Sequence, residues 1–203
     1  MAARMIPRAL IGASLVGLVL EIGGAVQPPV RWAAGASIPV WIDQANAPIG
    51  GAALVERALV TWTTAIGRDV TLRRTTVSTD AVVRVGFASS RGVYGETRPQ
   101  IDARTGTIVS ADVVIASDTG GDDPLTRRIV IYLTALHELG HALGLRHTDN
   151  VADIMYSFRR PDDGERYFAA YRRRLRSSDD IGSAQASGLS SNDLAAVREL
   201  YGR

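Results

Sequence analysis

The stretch from His137 to His147, HELGHALGLRH, limits what this chain can fold into more than any other feature. His137 and His141 stand at i and i+4, so a helix stacks both imidazoles on one face, a turn apart. Gly144 permits a sharp reversal of the chain, and His147 can then return toward the same face. Three neutral imidazoles with the fourth position open form the ligand set of a catalytic zinc. Glu138, next to the first of them, is placed to act as general base on water at that site. These are the only histidines among 203 residues. The competing reading is a surface helix that carries histidines without a metal.

A chain of 203 residues fits one domain and can bury a sizeable core. A net charge of +2 gives no field for nucleic acid, so no such partner is expected. All 23 basic residues are arginine. Cysteine is absent, which excludes disulfides and thiolate metal sites within these residues. Arg4 and Arg8 precede an apolar run from Ala9 to Leu20, followed by the small residues Gly23, Gly24 and Ala25. That is the layout of a secretory signal peptide over residues 1–25, which leaves 26–203 as the working domain and a secreted or extracytoplasmic protein. The alternative is an uncleaved anchor over Ala9–Val26, although the run is short for a membrane span and Glu21 interrupts it.

Further along, β-formers at Ile38–Ile42 predict a strand. Helical spacing of Val55, Leu59, Trp62 and Ile66 predicts a helix over Ala52–Ile66, stopped by Gly67. Strands are predicted at Val70–Arg73, Ala81–Ala88 and Thr107–Ser117. The glycine-bearing segment between Ser89 and Thr107 reads as irregular, with one short edge strand. Asp123 as N-cap and Pro124 in the first turn open a long helix that ends at Gly144. A last helix, Ser190–Leu200, is capped by Ser190 or Ser191. This order describes an α+β or α/β sheet with two large helices packed on it.

Eight residues after His147 comes Met155, within Asp153-Ile154-Met155-Tyr156. With HExxHxxGxxH before it, this stretch resembles the metzincin zinc peptidases, and among them the matrixins, whose Met-turn lies beneath the three histidines at this distance. Thr148 after the third histidine and Leu189–Leu194 with Leu200-Tyr201-Gly202 at the end fit the same branch. The resemblance spans roughly Arg31 to Gly202, with its specific part between His137 and Tyr156. It implies the metzincin fold: a twisted, mostly parallel mixed sheet with a backing helix, a long active-site helix and a C-terminal helix. It also implies a zinc endopeptidase with one catalytic zinc on His137, His141 and His147, Glu138 as base, and Met155 as the floor of the site. A polypeptide substrate would lie extended along the cleft, against an edge strand within Arg91–Ile115 and over a pocket formed from Tyr156 to about Pro161. The family's structural zinc requires histidines that this chain lacks.

The chain departs from the family pattern after the Met-turn. Ser157 stands where a proline is usual, and an arginine-rich insertion occupies about 159–187. Phe168, Tyr171 and Leu175 form its stripe, with Arg166, Arg172, Arg173, Arg174 and Arg176 around it. The segment reads as a helix packed by its aromatic side. The alternative function is a non-catalytic or membrane-tethered module of the same fold that recognises anionic surfaces through these arginines or contacts membrane through its leader. Deletion of Asp162–Ala186 is expected to spare metal binding, because every ligand precedes it. Asp118, Asp122 and Asp123 offer oxygen ligands for calcium, against a reading as a solvated loop and helix cap.

Overall fold

The computed structural model describes residues 29–90, 92–160 and 162–202. The proposed leader lies outside them. Five strands form one sheet: β1 (Ser37–Ile42), β2 (Thr71–Thr75), β3 (Val83–Ala88), β4 (Gly95–Asp102) and β5 (Thr107–Ala116), in the order β2-β1-β3-β5-β4. The pairs β1–β2, β1–β3 and β3–β5 are parallel, and β4 runs antiparallel to β5 at the sheet edge. This is the mostly parallel mixed sheet of the expected α+β fold. The segment expected to be largely irregular contains the whole of β4. Its glycines and proline hide a strand whose exposed and half-buried residues alternate, as an edge requires.

The inner sheet face is covered by α1 (Gly51–Ile66) and α2 (Pro124–Ala142). Leu54, Val55, Ala58, Leu59, Trp62 and Ile66 of α1 are buried while Val60 faces solvent, which is the amphipathic pattern read from sequence. α2 is buried almost all round from Ile129 to Gly140, beyond the single stripe expected. Its surroundings supply the reason: the sheet lies on one side, α1 on another, and α3 (Asp163–Arg172) on a third. Asp123 caps α2, accepting from the Thr126 N–H at 2.9 Å. α4 (Ser191–Tyr201) is capped by Ser190, with Asp193 completing the reciprocal box.

The insertion is part of the core. Phe168 and Tyr171 are buried, and Leu175 packs against the same cluster. The Tyr132 hydroxyl, on α2, donates to the Ser187 carbonyl. The Tyr171 hydroxyl donates to the Ala186 carbonyl, and Arg57 of α1 donates to the Ile181 carbonyl at 2.9 Å. The segment that sequence alone treated as separable therefore closes one side of the active-site helix. No helix among the described residues is long and apolar enough to cross a membrane.

Candidate metal centre

The last turns of α2 carry His137 and His141 side by side. Beyond them Gly144 adopts φ 97°, and the site of its missing Cβ is filled by the Val30 carbonyl, so only glycine fits this reversal. The turn returns His147 to its partners. Its Nε2 lies 3.2 Å from that of His137 and 3.1 Å from that of His141. The His137 Nδ1 is 2.6 Å from the Ile154 carbonyl, and the His141 Nδ1 is 2.9 Å from the Leu145 carbonyl. A carbonyl only accepts, so both Nδ1 atoms carry the proton and both Nε2 atoms present lone pairs inward.

Lone pairs at this separation repel unless a cation lies among them. Zinc–nitrogen bonds of about 2.0–2.1 Å in a tetrahedron give nitrogen–nitrogen separations of roughly 3.3 Å, close to those present. Burial pushes the pKa of His137 down to about 4 and lowers those of His141 and His147, which favours neutral imidazoles at pH 7. The residues thus fit a zinc ion. Among the described residues they are the one cluster of histidine and acidic side chains gathered tightly enough for a metal. The three aspartates considered for calcium do not converge. Asp118 accepts from the Ser90 N–H at 2.7 Å, and Asp123 caps α2 and pairs with Arg172.

Glu138 is only 6% exposed, and burial raises its carboxyl to about 7. The Thr97 hydroxyl, on β4, lies 2.7 Å from Glu138 Oε2 and donates to it. A Cβ at Gly95 would stand 2.7 Å from Glu138 Cγ and 2.8 Å from Oε1. Glycine there lets the edge strand approach the carboxylate. Neither Thr97 nor Gly95 was singled out from sequence, because their roles exist only once β4 lies along α2.

Met155 lies in a turn packed against α2 at Gly140. Thr148 N–H donates to the Met155 carbonyl at 2.8 Å, and Ser157 N–H to the Thr148 carbonyl at 3.1 Å. Met155 is buried against Gly140 and close to Trp62, under the turn that joins the two helical histidines. Asp153 accepts from the Thr148 and Ser190 hydroxyls at 3.0 and 2.8 Å. Asp193 accepts the Ile154 N–H at 2.9 Å, which ties this turn to the cap of α4.

Ser157–Arg160 then line one side of the cleft, with Pro161 outside the described residues. Asp163 fixes it: one carboxylate oxygen accepts from the Tyr156 hydroxyl at 2.8 Å and from the Arg160 and Arg159 N–H groups at 3.0 and 3.1 Å. Those donors, the Arg160 N–H first, hold its carboxyl below the usual range. This clamp holds the segment that follows the Met155 turn, and nothing local in the sequence announces it. Behind the wall a cavity of about 940 Å³ runs past Leu133, Phe158, Tyr167 and Phe168 up to the histidines and Glu138.

Comparison with known proteins gives the same direction. The family model for matrixins matches residues 51–180. The chain is 29% identical over 159 residues to matrilysin of Felis catus, covering 74% of this chain and 51% of that protein. It is 28% identical over 160 residues to matrilysin of Homo sapiens, covering 74% and 50%. The chain spans about half the length of these curated relatives.

Proposed function

This chain belongs to the matrixin family, and we propose that it is a secreted zinc-dependent endopeptidase with Glu138 as general base. The observation that carries the reading is the convergence of three histidine Nε2 atoms beside a buried carboxylate at a sheet edge. His137, His141 and His147 would hold the ion through Nε2. Zinc bound there supplies a Lewis acid that lowers the pKa of water and polarises a carbonyl. Glu138 takes the proton from the attacking water and delivers it to the departing amine nitrogen. The Thr97 hydroxyl keeps that carboxylate pointed along the cleft. The unpaired edge of β4 offers backbone groups to an extended peptide by strand addition. Met155 contributes an apolar floor rather than a metal bond.

A peptide-library digestion by the zinc-loaded protein, with and without a chelator, tests the reading. Cleavage that is abolished by chelation and restored by zinc is the expected result. A zinc-loaded protein that cleaves nothing would overturn it. Secretion rests on the Arg4–Ala25 layout. N-terminal sequencing of exported protein should find a start near Val26, and retention of Ala9–Val26 in membranes would favour the tether. The arginines divide on the anionic-surface reading: Arg166 pairs with Asp162, Arg172 with Asp123 and Arg176 with Asp180, whereas Arg173 and Arg174 are exposed and form no ion pair among the described residues.

A further inference from the structure

β4 is the sheet edge along which an extended peptide would lie, and its backbone groups do not all face outward. The Ala116 N–H donates to the Tyr94 carbonyl at 2.8 Å, from the end of β5 to the residue before β4. The Ala111 N–H turns the other way and donates to the Val82 carbonyl, beside β3, at 2.9 Å. Alternation along an antiparallel ladder extends this difference to every second residue. Gly95, Thr97 and Pro99 stand opposite Ile115, Val113 and Ala111, whose backbone groups serve the β3 side. Their own backbone groups therefore point to the open edge.

Only the first two of these three residues offer both an N–H and a C=O. Proline has no N–H, so the row of donors stops at Pro99. The register slips just beyond it, between Gln100 and Ile101. Toward the other end, the Val93 carbonyl already accepts the Ser90 hydroxyl at 3.0 Å. There Tyr94 meets the Phe168 ring edge-on, with centroids 5.1 Å apart at 85°. α3 lies so close that a Cβ at Gly164 would stand 2.8 Å from the Tyr94 hydroxyl oxygen. The cavity keeps the same bounds: of β4, Gly95, Glu96 and Thr97 line it, and the residues from Arg98 onward do not. Gly95 and Thr97 are also the two strand residues that lie against Glu138.

Resting on the peptidase reading of this cleft, we infer that the substrate backbone is held over two strand positions only, Gly95 and Thr97, with Pro99 and α3 as the stops. The substrate class that follows is short. A few extended residues around the scissile bond suffice, as in small peptides and brief exposed loops, and a longer unfolded chain gains nothing. One uncharged hydrogen bond on the strip corresponds to about fivefold in affinity. An uninterrupted edge would add that factor again with further length; this edge does not.

The test uses zinc-loaded protein and a nested set of peptides around one cleaved bond, with acetylated and amidated ends, lengthened one residue at a time on each side. In the wild type kcat/KM should rise with the first few residues and then stay within about twofold as length increases. Pro99→Ala supplies the missing N–H. It should raise kcat/KM about fivefold for peptides long enough on one side to pass Thr97, and leave the shorter ones unchanged. Equilibrium binding of the same peptides to the Glu138→Gln protein, with and without Pro99→Ala, should show the same plateau and the same gain. Wild-type kcat/KM that keeps climbing with length would overturn the inference, and that series decides even if Pro99→Ala does not fold. A folded Pro99→Ala that treats every length as the wild type does would also overturn it, including one that only self-associates through its freed edge. Absence of any cleavage would overturn the peptidase reading. The binding series then decides alone: a plateau that Pro99→Ala lifts supports the two-position strip, and affinity that climbs with length, or no binding at any length, removes it.

Discussion

Gly140 shows how little space separates the histidines from what lies beneath them. Its missing Cβ is occupied by the Met155 sulfur, and Trp62 Cζ2 stands 3.2 Å away. Gly140→Ala should therefore cost about 1–3 kcal/mol through overpacking. Its effect should appear as a lower melting temperature and weaker zinc retention, because displaced Met155 adjoins Ile154, whose carbonyl holds His137. A variant that melts with the wild type would show that the turn yields freely. Glu138 presents the converse case, a side chain whose chemistry rather than volume is at stake. Glu138→Gln keeps the size and the contact with Thr97 but cannot take a proton. It should bind one zinc as the wild type does and lose about 10²–10⁴-fold in peptide hydrolysis. Metal analysis beside the kinetics separates the two roles: loss of zinc would mean that the carboxylate holds the site together.

At the scale of elements, α3 both completes the core and stiffens the wall. The Asp163 carboxylate gathers Tyr156, Arg159 and Arg160 through three hydrogen bonds to one oxygen. Asp163→Ala should loosen that wall, raising KM for peptides several-fold while zinc content and kcat change little. A fall in kcat at constant KM would contradict a positioning role. The start of α2 is bound to the end of α3 through Asp123 and Arg172. Hydrogen bonds from the Thr126 hydroxyl, then from Arg172, lower the Asp123 pKa to about 2. A folded pKa below the unfolded value means that stabilisation is present above about pH 4 and is lost as pH falls toward 2. The melting-temperature difference between wild type and Asp123→Asn should shrink across that window. A constant difference would assign the effect to capping geometry alone.

For the whole molecule, the sheet, the two large helices and the insertion share one hydrophobic core. Deletion of Asp162–Ala186 would remove Phe168 and Tyr171 from it and strip the cover from α2 beside Tyr132. That burial argues against the expectation that such a deletion spares the metal site. The truncated chain should lack a cooperative unfolding transition and bind zinc weakly; retention of both would show that the insertion is dispensable. A metal held by the three histidines should act on the entire fold, since they join the end of α2 to the segment leading into the Met155 turn. Free zinc at about a hundred times its Kd adds about 2.7 kcal/mol. For a domain of this size that corresponds to roughly 5–10 °C in melting temperature. A chelator should remove this increment.

The convergence of the three histidines was legible because it is local: helix pitch fixes His137 and His141 on one face, and one glycine returns His147. The same holds for the Ser190 cap, the Asp123–Pro124 start and the Trp62 stripe, each written within a few residues of itself. What surrounds the metal site was not legible. The tie of Thr97 to Glu138 spans 41 residues, and Tyr94 meets Phe168 across a still longer stretch of chain. Asp163 lies near its partners in sequence, yet its role depends on α3 docking against α2 and Tyr94. Helical and strand periodicity report which face of an element is apolar. They do not report which other element will cover that face. That choice belongs to the packing of the whole chain, and here it decides the edge strand, the state of the base and the shape of the pocket.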